Sequence, residues 1–189
     1  VAGKDRKETF TTLLKENKLG AMALLRNLRL MTKVGVEESL IREGIQKMKT
    51  ERILPFRFIT AAKYAPHLED ALEKAMFKCL TGYPTLPGKT ILLVDVSWSM
   101  MLPLSSKSEM TRVDTAVGLA ILVREICEEV VIYTFSDDLA RVAPRRGFAF
   151  RDAILKSQQS MGTYLGNAVR KLDEKEKYDR LIVLTDEQS

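Results

Sequence analysis

Acids and hydroxyls at the ends of two apolar runs have the types and spacing of ligands for a divalent metal ion. The segment DVSWS at 95–99 places one carboxylate and two hydroxyls on a single loop, and Asp186 directly follows a second apolar run. Thr163, between two glycines and ahead of a helical stretch, could add a hydroxyl from a third loop. Oxygen ligands of this kind suit hard cations that keep part of their water shell. The predicted metal ligands are Asp95, Ser97, Ser99, Thr163 and Asp186.

The charge of this ligand set indicates what the metal would do. The two aspartates balance the two positive charges of the ion, and the three hydroxyls add none, so the ion would still attract an anion. Mg²⁺ is the expected ion, with Mn²⁺ or Ca²⁺ as alternatives. A partner that supplies a carboxylate or a phosphate could take the open coordination position. We therefore predict metal-dependent recognition.

Other interpretations of the same residues are open or have less support. The serines of 95–99 could simply cap the helix that follows, as hydroxyl side chains often do. A dehalogenase-type phosphatase would need an acid at the position of Ser97, and no Gly-x-Ser-x-Gly motif surrounds either serine. The single histidine, His67, lies in the helical half, and the glycine patterns of nucleotide-binding loops are absent from the sequence. We expect a protein that is not an enzyme.

The pattern of apolar residues predicts the elements that position these ligands. Continuous, β-branched runs at 90–94, 130–135 and 180–185 alternate with helical stretches, which is typical of a buried parallel sheet built from βαβ units. A helix is predicted at 112–129, covered on nearly all sides in its middle, and a small edge strand at 139–142. Together these elements predict an open, doubly wound α/β fold. In such a fold the acids that end two neighbouring strands overhang one crevice.

The first half of the chain has a different, helical pattern. Its apolar residues recur at helical spacing, which predicts an all-α region of short stacked helices. The predicted helices lie near 21–33, 36–48, 55–65 and 68–80. The turn-rich segment 81–88 then separates two domains, which we place at 1–84 and 85–189.

Charge and cysteine content narrow the class of protein. Residues 1–88 contain 16 Lys and Arg against 10 Asp and Glu, whereas residues 89–189 contain 14 against 15. The positive excess of the first half suits a nucleic acid as well as simple solubility. Cys79 and Cys127 lie in predicted helices without a partner at disulfide or metal spacing, so we expect two reduced core thiols. No apolar run approaches the roughly 18 residues of a membrane span, and no apolar signal core is present, so we expect a cytoplasmic protein without a membrane partner.

Three stretches of the sequence point to a known family. They are ALLRNL at 23–28 with MT at 31–32, RILPF at 52–56, and KTILLVDVSWSM at 89–100. Together they resemble the Ro ribonucleoprotein family, in which a ring of HEAT-like helical repeats, the TROVE module, precedes a von Willebrand factor A domain with a metal-ion-dependent adhesion site. The resemblance runs over most of the chain. It implies that 1–84 is the C-terminal part of the helical region and that 85–189 is a Rossmann-like A domain, incomplete at its C-terminus.

The resemblance also implies partners. Members of the Ro family bind misfolded non-coding RNA in the hole of the ring and Y RNA on its outer face, so we expect a role in RNA quality control, with the A domain available to a protein or anionic ligand. Basic side chains that could contact phosphates are Arg26, Arg29, Lys33, Lys47, Lys49 and Arg52. The rival hypothesis is a metal-dependent protein-interaction module without RNA binding. One departure from the family is Trp98, whose indole stands where a small residue is common and would restrict access to the metal.

Overall fold

The structure, a computed structural model, describes residues 5–51, 53–106, 108, 110–159 and 161–186. The chain divides into two compact units, Val1–Thr81 and Gly82–Ser189, called unit 1 and unit 2 below. None of the helices in the described ranges is long and apolar enough to cross a membrane.

Unit 1 is built from short helices, as predicted for this half of the chain. Its described α-helices are α1 (Arg6–Lys15), α2 (Ala21–Lys33), α3 (Glu38–Lys47), α4 (Phe56–Tyr64) and α5 (Glu69–Cys79). The carboxylate of Asp5 accepts a hydrogen bond from the backbone N–H of Lys7 at 3.0 Å and so caps the start of α1. Gly35, with a φ of 74°, turns the chain after α2, and Pro66 begins a short 3-10 turn after α4.

The helices of unit 1 form two layers. In one layer α1 packs on α3 and α3 packs on α5, while α2 packs on α4 in the other. Contacts of α2 with α3 and of α4 with α5 join the two layers. Helices stack in this alternating way when each has an apolar face that one neighbour cannot cover alone. The largest buried side chains of unit 1 include Leu28, Ile45, Phe58, Leu72 and Met76.

Unit 2 contains a four-stranded mixed sheet. Its strands, in the order β3-β2-β1-β4, are β1 (Leu86–Asp95), β2 (Cys127–Phe135), β3 (Leu139–Arg141) and β4 (Arg180–Leu184). β1 runs parallel to both β2 and β4, whereas β3 pairs antiparallel with β2. The described α-helices are α6 (Arg112–Ile126), α7 (Gly147–Leu155) and α8 (Leu165–Lys175). The predicted α/β class and the small antiparallel strand are confirmed.

Helices lie against the central strand β1 and bury it. Ile91 and Leu93 pack against Ala168 and Leu172 of α8 on one face of the sheet. The alternate residues of β1 at 92 and 94 are also fully buried and point to the other face, and α6 packs on β1 as well. Because β2, β1 and β4 are parallel, their carboxyl ends meet at one edge of this covered sheet.

Some predicted boundaries differ from those in the structure. The helix predicted at 112–129 ends at Ile126, and Cys127 begins β2 instead of lying in a helix. Pairing of this segment with β1, which includes Lys89 opposite Glu129, outweighs its helical pattern. Leu119 is 38% exposed, so α6 is not covered on every side. Helix α7 was not predicted.

Both cysteines are free thiols in the structure, and they differ in burial. Cys79 is buried in unit 1, whereas Cys127 is only half-buried at the start of β2. Burial raises the pKa of the Cys79 thiol to about 11. A thiol with so high a pKa carries almost no thiolate at neutral pH and is therefore unreactive.

Candidate functional site

Asp95 and Asp186 lie at the carboxyl ends of two adjacent strands, whereas Thr163 lies in the loop between α7 and α8. Asp95 is the last residue of β1 and pairs with Phe135 of β2. On the other side Val94 pairs with Leu184, the last residue of β4, so Asp186 follows directly beyond the same edge. The strands β1 and β4, which lead to the two acids, are therefore neighbours in the structure. The sequence only implied this.

The carboxylate of Asp95 is fully buried. Its Oδ1 accepts a hydrogen bond from the backbone N–H of Ser97 at 2.8 Å, and its Oδ2 accepts one from the hydroxyl of Thr185 at 2.6 Å. Both donors are neutral, and no described Lys or Arg forms an ion pair with it. Buried carboxylates are normally paired with a cation or coordinate one. Sequence patterns did not single out Thr185, which orients Asp95 from the neighbouring strand end.

The two serines of the loop lie together beside Asp95. Ser97 is fully buried, and its Oγ is 3.2 Å from the Oγ of Ser99. A short 3-10 turn, Trp98–Met101, brings the second hydroxyl back toward the first. One carboxylate and two hydroxyls therefore gather on one loop.

Thr163 lies in a loop that is held by hydrogen bonds to Ser136, the residue after β2. The hydroxyl of Ser136, the residue after β2, donates to the carbonyl of Gly162 at 2.9 Å. The carbonyl of the same serine accepts from the N–H of Tyr164 at 3.1 Å. Since Thr163 lies between these two anchored neighbours, its loop is held at the edge where Asp95 ends β1. Ser136 is buried and was not foreseen as a positioning residue.

Asp186 has a cationic partner that the sequence did not reveal. Its Oδ2 forms an ion pair with Nη1 of Arg112, the first residue of α6. The Asp186 side chain is only 7% exposed and the Arg112 side chain 28%. A capping box between Thr111 and Asp114 fixes this end of α6, so Arg112 is held near the predicted metal ligands.

Exposed apolar side chains belong to two of these loops. Trp98 is 63% exposed, and its backbone N–H donates to the carbonyl of Met161 at 3.1 Å, which joins the serine loop to the Thr163 loop. Met161 is 56% exposed and Tyr164 is 60% exposed. Whether the indole restricts access to a metal stays a prediction.

The chemistry of the donor set fits a hard divalent cation. Among the described residues, no three His, Cys, Asp or Glu side chains lie close enough together to hold a metal by themselves. A metal bound at this edge would therefore depend on hydroxyls as well as on Asp95 and Asp186. Mg²⁺ and Mn²⁺ accept such oxygen donors together with water.

The basic residues predicted to contact RNA fall into different environments. Arg26, Arg29 and Lys33 are exposed on α2. Lys47, on α3, forms an ion pair with Glu43 one turn earlier. Lys49 is exposed just beyond α3, and Arg52 lies outside the described residues.

Comparison with known proteins identifies the family. The model of the TROVE domain family matches residues 3–112, which include nearly all of unit 1, β1 and the 95–99 loop. The chain belongs to the TROVE domain family. Among curated proteins no significant match was found.

The fold of this TROVE chain is similar to a solved structure. The crystal structure of the Deinococcus radiodurans RO (RSR) protein superposes with a TM-score of 0.63 over 98% of this chain and 48% of that chain, at 19% sequence identity. The present chain thus spans about half the length of that protein. The chain therefore has a fold that has been observed experimentally.

Proposed function

We propose that this TROVE-family chain is an RNA-binding protein of the Ro type. In this role it would bind misfolded non-coding RNA and Y RNA and contribute to RNA quality control, without catalysing a reaction. The observation that carries the proposal is the family match together with the basic character of the helical half. Lys and Arg side chains that neutralise phosphates supply most of the sequence-independent affinity for RNA.

Direct binding tests this proposal. An RNA hairpin with a single-stranded 3′ tail, labelled with fluorescein, would be titrated with the 189-residue chain at 50 mM salt and followed by fluorescence anisotropy. We expect saturable binding that is competed by unlabelled RNA. A chain that is folded by circular dichroism and does not raise the anisotropy at micromolar concentrations would contradict the proposal.

Unit 2, in this proposal, is a Rossmann-like von Willebrand factor A domain with a divalent-metal site. Asp95, Ser97 and Ser99 would supply ligands from one loop, with Thr163 and Asp186 from the two neighbouring loops. The buried Asp95 carboxylate, which has only neutral donors around it, supports the site most directly. Mg²⁺ is the preferred ion, and Mn²⁺ or Ca²⁺ would be substitutes. The ion would provide an electrophilic position for a carboxylate or phosphate of a partner.

Substitution of Asp95 tests the metal site. Mn²⁺ binding would be measured by electron paramagnetic resonance on the purified chain and on Asp95→Asn, which keeps the shape and removes the charge. We expect the substitution to weaken binding by about 100-fold or more, because a carboxylate ligand is lost. Asp173→Asn, which changes an exposed acid on α8, is the matched control and should bind Mn²⁺ as the unchanged chain does. Equal binding by both variants would refute the site.

A second candidate function is metal-dependent capture of a protein without RNA. The exposed side chains of Trp98, Met161 and Tyr164 favour it, since large apolar residues beside buried polar groups are common at protein interfaces. The partner would supply a carboxylate to the metal. Mg²⁺-dependent binding of an acidic peptide by a chain that does not bind RNA would favour this function over the first.

A further inference from the structure

Arg112 stands where a helix does not favour a cation. It is the first residue of α6, and the unbonded N–H groups of a helix make its amino end positive. Arg124 lies in the last turn of the same helix, where cations are stabilised. Departures from such local preferences concentrate at functional sites. Helix stability therefore does not explain the position of Arg112.

Backbone and side-chain contacts fix Arg112 beside the predicted metal ligands. Its backbone N–H donates to the carbonyl of Leu102 at 3.0 Å, which ties the start of α6 to the residues after the serine loop. In the capping box of the same turn, Asp114 accepts from the N–H of Thr111 at 2.9 Å. The guanidinium then reaches Asp186, 74 positions further along the chain. Arg112 is thus placed precisely at the edge where the two acids lie.

The guanidinium of Arg112 has more donors than its ion pair uses. An arginine side chain carries five N–H groups, and the contact with Oδ2 of Asp186 is made by Nη1. The Arg112 side chain is more exposed than that of Asp186, so part of the guanidinium remains accessible to solvent while the carboxylate is covered. An anion can therefore approach this cation from outside.

The net charge at this edge changes sign when a divalent ion is present. Asp95 and Asp186 carry two negative charges and Arg112 one positive charge, which leaves one net negative charge without a metal. Two further positive charges leave one net positive charge. An anion is repelled in the first case, whereas one monoanion restores neutrality in the second. A carboxylate carries that single charge, and a phosphate monoester carries about −1.5 to −2.

We propose that Arg112 is a second anion-binding group beside the metal site and selects a carboxylate as its ligand. One carboxylate oxygen would be attracted by the ion, and the other would accept from the guanidinium, whose planar fork matches a two-oxygen anion. Because Arg112 repels the ion and attracts the anion, it makes the binding of metal and carboxylate cooperative. The inference rests on the proposed metal site and adds the residue that selects its ligand.

Linkage between acetate and Mn²⁺ tests this role. The Kd for Mn²⁺ would be measured on the 189-residue chain in 50 mM sodium acetate and in 50 mM sodium chloride by electron paramagnetic resonance, which reports the free ion. We expect acetate to lower this Kd about threefold, which corresponds to a Kd of about 25 mM for acetate on the metal-loaded chain. Chloride is the control because a single atom offers no second oxygen to the guanidinium.

Substitutions of Arg112 should act in opposite directions on the two ligands. Arg112→Met should bind Mn²⁺ more tightly in chloride, because a repelling charge is gone, and should lose the acetate effect. Arg112→Lys keeps the charge without the planar fork and should retain only part of the acetate effect. Arg124→Met removes the same charge from the other end of α6 and should keep the effect at about threefold.

The outcomes separate this role from the proposed metal site. A chain that binds no Mn²⁺ in either buffer would refute the site itself. Mn²⁺ binding that acetate does not tighten, or tightens equally in Arg112→Met, would refute the role of Arg112. A purely structural ion pair would change the melting temperature, followed by circular dichroism, without changing the acetate effect. If Arg112→Met is unfolded, Arg112→Lys decides, since an undiminished acetate effect refutes the role.

Discussion

Arg112 and a divalent ion would compete for the carboxylate of Asp186. In the structure the guanidinium already neutralises this acid in a partly buried ion pair. A metal ion that used Asp186 as a ligand would have to displace the guanidinium of Arg112 or bind the carboxylate together with it. Arg112 also stands at the positive end of the α6 dipole, where an additional cation is unfavourable without a nearby acid. The arginine would therefore act as an internal counter-charge that limits how strongly the proposed site attracts a metal ion.

Arg112→Met should bind metal more tightly than the unchanged chain. The substitution keeps an unbranched side chain and frees Asp186, so we expect the Kd for Mn²⁺ to fall by about three- to tenfold, as is typical for release of one charged contact. Isothermal titration calorimetry would measure it. Arg124→Met, at the other end of α6 and paired with Glu125, is the matched control and should leave the Kd unchanged. Weaker binding by Arg112→Met would show instead that the arginine supports the site.

At the scale of elements, a partly buried cluster of polar side chains joins the sheet to α8. Glu176, which ends α8, accepts from Lys89 of β1 at 2.9 Å and from the hydroxyl of Tyr133 of β2 at 2.8 Å. The bond with Lys89, and then the bond with Tyr133, lowers the pKa of Glu176 below its usual value of 4.5. The folded state therefore holds the charged form more strongly than the unfolded chain does. The resulting stabilisation is present above about pH 4.5 and is lost as the pH falls through the lowered pKa.

Glu176→Gln should lower the free energy of unfolding by about 1 kcal/mol at pH 7, since two hydrogen bonds to a charged group become neutral ones. The difference from the unchanged chain should shrink at pH 3, because the carboxylate of Glu176 is then more often protonated and neutral, as the glutamine is at both pH values. Urea denaturation followed by circular dichroism at the two pH values measures this. Glu174→Gln, an exposed acid on the same helix, should show little effect at either pH. A loss of the same size at both pH values would mean that the charge of Glu176 is irrelevant.

At the scale of the whole molecule, the excess positive charge and the proposed metal site belong to different compact units. Unit 1 holds the positive excess of the chain, most of it on α2 and α4, and unit 2 holds the buried aspartate with its hydroxyl neighbours. RNA affinity should therefore depend steeply on salt. If Arg26, Arg29, Lys33 and Arg57 each neutralise one phosphate of a single strand, affinity should fall by roughly 50-fold between 50 and 200 mM salt.

Measurement of oligouridine binding across this range of salt checks the expectation, and Asp95→Asn provides the comparison. The variant should bind RNA with the same affinity and the same salt dependence as the unchanged chain, because its charge change lies in the other unit. An affinity that hardly varies with salt would contradict an electrostatic interface. A large effect of Asp95→Asn would show that the metal site takes part in RNA binding.

The sequence was sufficient for features that depend on local pattern. β-branched apolar runs predicted three parallel strands to within a few residues at their carboxyl ends. The acids after the first and third runs, Asp95 and Asp186, marked the edge of the sheet where both lie. Helical spacing likewise predicted α2 to α5. The amino end of β2 was missed because pairing with β1, rather than local propensity, extends the strand back to Cys127.

Only the tertiary structure decided which charges are free. The i,i+4 spacing of Glu38 with Arg42 and of Glu43 with Lys47 already indicated their pairing. The contact of Arg42 with Asp70 and the stacking of Arg29 on Tyr64 join different helices, and the sequence did not indicate them. The pairing of Arg112 with Asp186 joins residues 74 positions apart, and no local pattern specifies it. The spacing of apolar residues along the sequence indicates which face of an element is buried, because the residues of one face are buried together. The partner of a polar side chain is set by how distant elements pack, and that is known only once the chain has folded.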